Sequence, residues 1–273
     1  MATFRDAGLV LRTHKLAEAD RIITLLTRDH GKVRAVAKGV RRPKSRFGAR
    51  LEPFMHVDLQ LYEGRSLDTV TQAVTLAAYA GPIAASYPAF TAANAVVETA
   101  EKLSPVEHLP ARALFRLTLG AVAALARGAA EGESAGDAVR PGGGEGGAGD
   151  DGGPPAAGAA PAPRAVVDSY LLRALALSGY APSLGDCAGC GAPGPHRAFA
   201  AAAGGMVCPQ CRPPGAAAPA AGTVTLMGAL LEGAWPAVAA QAKHSGEASQ
   251  LVKGFAEYHM ERAIRSLRVA DRS

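Results

Sequence analysis

Met55-His56-Val57-Asp58-Leu59-Gln60-Leu61-Tyr62 alternates apolar and polar side chains with a period of two, so Met55, Val57, Leu59 and Leu61 share one face. A helix would scatter those four side chains around its axis, so the stretch is a half-buried strand. Its neighbours extend the pattern. Upstream lie Leu9-Val10-Leu11 and Arg21-Ile22-Ile23-Thr24-Leu25-Leu26-Thr27, both short and rich in strand-forming residues. A turn at Asp29-His30-Gly31 leads into Lys32-Val33-Arg34-Ala35-Val36-Ala37-Lys38, and residues 67–74, after Gly64, form a fifth candidate. Five short strands within about 75 residues, with turn residues between them, predict a small barrel of the OB type over residues 1–80.

After Pro82 the period changes to that of a helix. Ile83, Tyr87, Phe90, Val97 and Leu103 recur at three-to-four spacing, which predicts that they face a core. Pro105 and Pro110 separate this helix from a second over 111–127. Residues 128–164 then hold 12 Gly, 10 Ala and 5 Pro, with Asp137, Glu145, Asp150 and Asp151 nearly unopposed. So little apolar surface cannot offset the entropy of ordering, and a disordered insert is predicted there. Helix resumes near Ala165 and stops at Gly179. A second flexible stretch is expected at 213–222; Thr225 is a candidate cap for a helix from Leu226, and a closing helix over 247–267 puts Leu251, Phe255 and Tyr258 on one face. The predicted class is α+β. A five-stranded OB-fold barrel (1–80) precedes an α-helical domain made of 81–127, 165–183 and 223–273, with a four-cysteine zinc finger embedded at 184–215.

All four cysteines of the 273-residue chain fall in Cys187-Ala188-Gly189-Cys190 and Cys208-Pro209-Gln210-Cys211, with 17 residues between the pairs. Two cysteines three apart, with Gly189 or Gly191 at the bend, can aim both sulfurs at one ion, and a second such knuckle completes a tetrahedron. Four thiolates leave no position open for water. The expected cofactor is therefore one structural Zn²⁺ on Cys187, Cys190, Cys208 and Cys211, without Lewis-acid chemistry. Two disulfides or four unrelated thiols are the alternatives. The charged N-terminal segment lacks a secretory apolar stretch, and the apolar runs at 117–126 and 223–232 read as too short for a bilayer. A cytoplasmic location without membrane association is expected, and reduced thiols there favour zinc.

Net charge is +5, and residues 1–80 alone carry 14 Lys/Arg against 8 Asp/Glu. Nine of those cations lie between Arg28 and Arg50, with Asp29 as the sole acid. Such a block is the footprint of a polyanion partner. The predicted DNA-binding residues are Arg34, Lys38, Arg41, Arg42, Lys44, Arg46 and Arg50, with Phe47 as a base-stacking side chain. Pro43, Ser45 and Gly48 predict a mobile, solvated loop. Charge also places a candidate pocket for an acidic peptide ending in an apolar residue beside Arg112, Arg116 and Arg127.

Three stretches carry a resemblance to a known family. They are Leu16-Ala17-Glu18-Ala19-Asp20-Arg21 with Gly31 and Ala37-Lys38-Gly39-Val40-Arg41-Arg42; then Tyr170-Leu171-Leu172-Arg173 through Gly179-Tyr180-Ala181-Pro182 into Cys187; and Tyr258-His259 with Ile264-Arg265-Ser266-Leu267. Together they make the chain resemble the bacterial RecO family of DNA repair proteins. The insert at 128–164 is longer than that family's norm. The resemblance implies an N-terminal OB-fold, a helical domain and an embedded zinc finger. It also implies binding of single- and double-stranded DNA, annealing of complementary strands, and help in loading recombinase onto coated single strands. Implied partners are the recombination protein RecR and the C-terminal tail of single-strand binding protein, and the implied location is the nucleoid.

No enzyme is expected. Glu18, Asp20 and Arg21 read as a structural ion-pair cluster, and His108, His196, His244 and His259 stand apart with no metal spacing. Gly31-Lys32 lacks the glycine and the Ser/Thr of a phosphate-binding loop, and His259-Met260-Glu261 follows the cysteines, contrary to the order in zinc deaminases. The alternative from another class is a metal-dependent nucleic-acid-processing enzyme built on the acidic N-terminal residues. A zinc-ribbon protein associated with transcription is a third reading, and sequence-selective binding would mark it.

Overall fold

The computed structural model describes residues 2–136 and 160–260, apart from Ala17, Pro43 and Arg46. The alternating stretch forms β4 (Met55–Tyr62), with Met55, Val57, Leu59 and Leu61 buried. It closes a barrel in the order β1-β2-β3-β5-β4 with β1 (Thr3–Lys15), β2 (Arg21–Thr27), β3 (Gly31–Ala37) and β5 (Asp68–Ala78). All pairings are antiparallel except β3 with β5, which is parallel at Ala35 with Asp68 and Val36 with Thr69. β1 is far longer than its apolar triplet. Its first half pairs with β4, its second with β2, and a register shift between Val10 and Arg12 turns the corner.

The triplet Leu9-Val10-Leu11 is buried on both faces. Val10 joins Ile23, Leu25, Val33 and Val70 inside the barrel, whereas Leu9, Leu11 and Leu26 join the core of the helical domain. One wall of the barrel is thus also a wall of the second core. The helices are α1 (Ala80–Ala85), α2 (Tyr87–Leu103), α3 (Arg112–Gly136), α4 (Pro163–Leu177), α5 (Ala221–Glu232), α6 (Trp235–Ala240) and α7 (Ser245–His259). Fully buried Tyr170 of α4 meets the Thr118 hydroxyl of α3 at 3.0 Å, and Ser169 donates to the Leu230 carbonyl at 2.7 Å.

Several expectations are corrected. On α2 the buried face is Ala89, Ala92, Ala93, Val96 and Ala100; Tyr87 and Phe90 point outward. Of the predicted core positions Ile83 and Val97 are buried and Leu103 packs against the core, so only the two aromatic rings depart from the expectation. α3 continues through Gly136, past the expected insert boundary at 128, because alanine-rich sequence favours helix and Ala129 is buried. Glu131 accepts a hydrogen bond from the Ala160 amide at 3.2 Å, tying the two flanks of the predicted insert together. Residues 137–159 of that insert lie outside the described residues. α5 starts at Ala221, so Thr225 sits inside it and donates to the Ala221 carbonyl at 3.1 Å instead of capping. Of the closing helix, residues from Glu261 onward lie outside the described part; Phe255 is buried, while Tyr258 is exposed. Residues Arg112–Gly132 of α3 are long and apolar enough to cross a membrane by composition, contrary to the reading of short apolar runs. Here Leu114, Phe115, Val122 and Leu125 of that stretch pack into the helical core.

Candidate nucleic-acid interface and metal centre

The basic loop leaves β3 at Lys38 and returns to β4 at Met55. Gly39, at φ +67°, makes the first turn, and its amide donates to the Asp20 carboxylate at 2.7 Å. The Arg41 amide bonds the Ala19 carbonyl at 3.0 Å, and its guanidinium reaches the Glu18 carbonyl at 2.8 Å. Arg21 pairs with Glu52 at 2.7 Å near the far end of the loop. The acidic motif therefore shapes the loop. Further turns place Ser45 N on the Arg42 carbonyl, and residues Gly48–Leu51 form a 3₁₀ turn.

Phe47 and Leu51 are both 1% exposed and sit in the barrel core. Phe47 cannot stack on a base from there; it anchors the loop, which is built of bonded turns where a mobile segment was expected. Lys38, Arg41, Arg42, Lys44 and Arg50 are exposed around that anchor. Arg34 lies on β3, where it ion-pairs with Glu107, while Lys32 reaches the Pro105 carbonyl at 3.2 Å. Both cations brace the barrel against the α2–α3 connection. Arg46 falls outside the described residues.

The three arginines of α3 do not share one pocket. Arg112 pairs with Asp29 at 2.8 Å, and with Arg28 and Arg116 it edges a cleft of about 390 Å³. The Asp29 carboxyl is held below its ordinary range, first by the hydrogen bond from Arg28. Arg116 and Arg127 instead flank a groove of about 630 Å³ between α3 and α4, with Leu177 and Trp235 among its apolar walls. Arg173 of α4 also lines it. The sequence reading missed Arg173, although it stands three residues after Tyr170 in the motif that carried the resemblance.

The four cysteines come together as their spacing predicts, with all four sulfurs within 4.8 Å of one another. None forms a disulfide. Gly191, at φ +74°, bends the first knuckle, and its amide donates to the Cys187 carbonyl at 2.8 Å; the Cys211 amide reaches the Cys208 carbonyl at 3.1 Å in the second. The short hairpin of β6 (Ala198–Ala200) and β7 (Gly205–Val207) sets the distance between them. A Cβ on Gly189 would stand 3.1 Å from the Cys211 sulfur, a contact that the neighbouring thiol would have to relieve by a few tenths of an ångström. The Cys208 amide aims at the Cys187 sulfur and draws that thiol down to about 6; neighbouring thiols push Cys211 up to about 12. So many sulfurs this close ionise together only around a cation, and the donor set fits a metal ion.

The fold is thus a closed OB-like barrel with a basic loop, joined to a helical domain that carries four cysteines able to hold a metal ion. Residues 1–79 match the family model for the Recombination protein O N terminal, and residues 157–268 match that for the C terminal. The chain belongs to the RecO family. It is 48% identical over 274 residues to the DNA repair protein RecO of Thermobifida fusca (strain YX) and 47% identical over 279 residues to that of Streptomyces griseus subsp. griseus. Both comparisons span 100% of either chain.

Proposed function

We propose that this protein is a non-enzymatic recombination mediator. It binds single- and double-stranded DNA, anneals complementary strands and helps load recombinase onto coated single strands. One observation carries the reading: Lys38, Arg41, Arg42, Lys44 and Arg50 stand exposed on a loop pinned to the barrel by buried Phe47 and Leu51. Cations exposed on a pinned loop favour phosphate contacts that ignore sequence. Two strands held against one positive surface repel each other less, and that lowers the electrostatic barrier to pairing.

The barrel of residues 1–80 is the DNA-binding unit in this reading. Residues 184–215 form a zinc finger holding one structural Zn²⁺, and the helical domain receives partners. The groove between Arg116 and Arg127 suits the C-terminal tail of single-strand binding protein, an acidic peptide ending in an apolar residue, with Arg173 as a further cation. RecR is the second partner, and the working location is the cytoplasmic nucleoid.

Titration of labelled single strands across salt concentrations tests the central claim. On single strands log affinity falls with log salt by about 0.7 per phosphate neutralised, so alanine at Arg41, Arg42 and Lys44 should flatten the slope by roughly 2. Affinity should fall alike for unrelated sequences, and annealing should proceed without ATP. Wild-type affinity and slope in the triple variant would refute the assignment of the loop. Turnover of DNA with magnesium at catalytic protein levels would favour the enzyme alternative.

A further inference from the structure

Beside the basic loop, at the same end of the barrel, runs a groove of about 450 Å³ between β1 and α2. Leu11 and Thr13 form one wall, Tyr87, Phe90 and Asn94 the other, and Pro53 lies between them. Only two residues, Glu52 and Leu51, separate Pro53 from Arg50 of the loop. On its other side β1 ends at Lys15, a few residues before Glu18 and Ala19, whose carbonyls Arg41 grips. Loop and groove are therefore built from the same chain ends.

The groove exposes aromatic rings that a purely structural α2 would not need. Tyr87 is 60% exposed and Phe90 44%, while the helix meets its own core through alanine and valine. Phe54 supports the Phe90 ring edge-on, at 6.0 Å between centroids and 89° between planes. The Phe90 ring keeps its exposure to the groove beside that contact. Glu98 and Glu101 line the groove together with Arg12, and each carboxylate faces a cation: Glu101 with Arg12 at 3.3 Å and Glu98 with Lys102 at 2.9 Å, while Glu52 beside Pro53 pairs with Arg21 at 2.7 Å.

We propose that this groove receives unstacked bases of a single DNA strand whose phosphates lie along the basic loop, with Tyr87 and Phe90 supplying the stacking faces. The inference rests on the DNA-binding role of the loop and adds to it the site that the buried Phe47 cannot provide. Stacking tolerates any base, because every base has a π-face, so the groove discriminates strandedness and leaves sequence unread. Bases within a duplex are already stacked and stay out.

The test compares a labelled oligonucleotide with an abasic strand of equal length, using the full-length protein. Wild type should bind the base-bearing strand more tightly. Tyr87→Ala should lose about 5- to 100-fold on that strand and little on the abasic one. Its salt slope should stay unchanged, since no phosphate contact is lost. Tyr87→Phe, which keeps the ring, should retain wild-type discrimination. Equal wild-type affinity for the two strands, or an equal loss on both in Tyr87→Ala, would overturn the groove assignment. Alanine at Arg41, Arg42 and Lys44, assayed on the abasic strand, separates the two claims. A flattened slope there leaves the loop reading standing even if the groove fails, and an unchanged slope removes both.

Discussion

Asp168 lies 5% exposed on α4, where Ser249 of α7 donates its hydroxyl to one carboxylate oxygen. Burial is the dominant influence and raises the carboxyl from 3.8 to about 6, against smaller opposing effects of the Ser249 bond and the Arg164 charge. Because the folded value lies above the unfolded one, the ionised carboxylate penalises the fold. That penalty is fully present above about pH 6 and fades as pH falls toward 4. At 1.36 kcal/mol per unit it amounts to about 3 kcal/mol near pH 7.5 and about half that near pH 5. Asp168→Asn keeps an acceptor for Ser249 and removes the charge, so it should stabilise the protein at neutral pH. Urea unfolding at both pH values, on wild type and variant, isolates this group. Wild type should gain roughly 1 kcal/mol relative to the variant on acidification. The difference between the two proteins is what matters, because His56 works in the opposite sense. Burial lowers its imidazole below the ordinary range, so its protonation costs stability as pH falls through the unfolded value of 6.5. A variant whose stability tracks that of wild type at both pH values would refute the account of Asp168.

Chelation of metal, or Cys208→Ser, should lower the melting temperature by unfolding the cysteine module, because metal-binding free energy is folding free energy at such sites. Elemental analysis should return one zinc per chain, and DNA binding by the loop should survive. Gly31→Ala should destabilise by more than about 1 kcal/mol in thermal or urea unfolding. At φ +64° the new Cβ would stand 1.8 Å from the Leu109 carbonyl oxygen, so the β2–β3 turn and the α2–α3 connection could not keep their present contact. Unchanged stability would show that this contact yields freely.

The barrel was legible in the sequence because a strand with one buried face must alternate, and β4 does so without exception. The cysteine site was equally legible, since two knuckles of fixed spacing have one economical way to meet. Both signals are local, set by the geometry of neighbouring residues along the chain. The fate of the aromatics was not. Phe47 sits among arginines in sequence and reads as a surface ring, yet tertiary packing spends it as the anchor that holds those arginines in place. Tyr87 and Phe90 read as core by their spacing, but α2 buries the face that carries Ala89, Ala92, Ala93, Val96 and Ala100 and leaves the two rings exposed. Arg34 reads as one more cation of the basic block; its pairing with Glu107, 73 residues away, exists only once the α2–α3 connection folds back on the barrel. Periodicity shows which faces a segment has. Which of them is buried depends on what arrives from elsewhere in the chain, and that is decided only by the assembled fold.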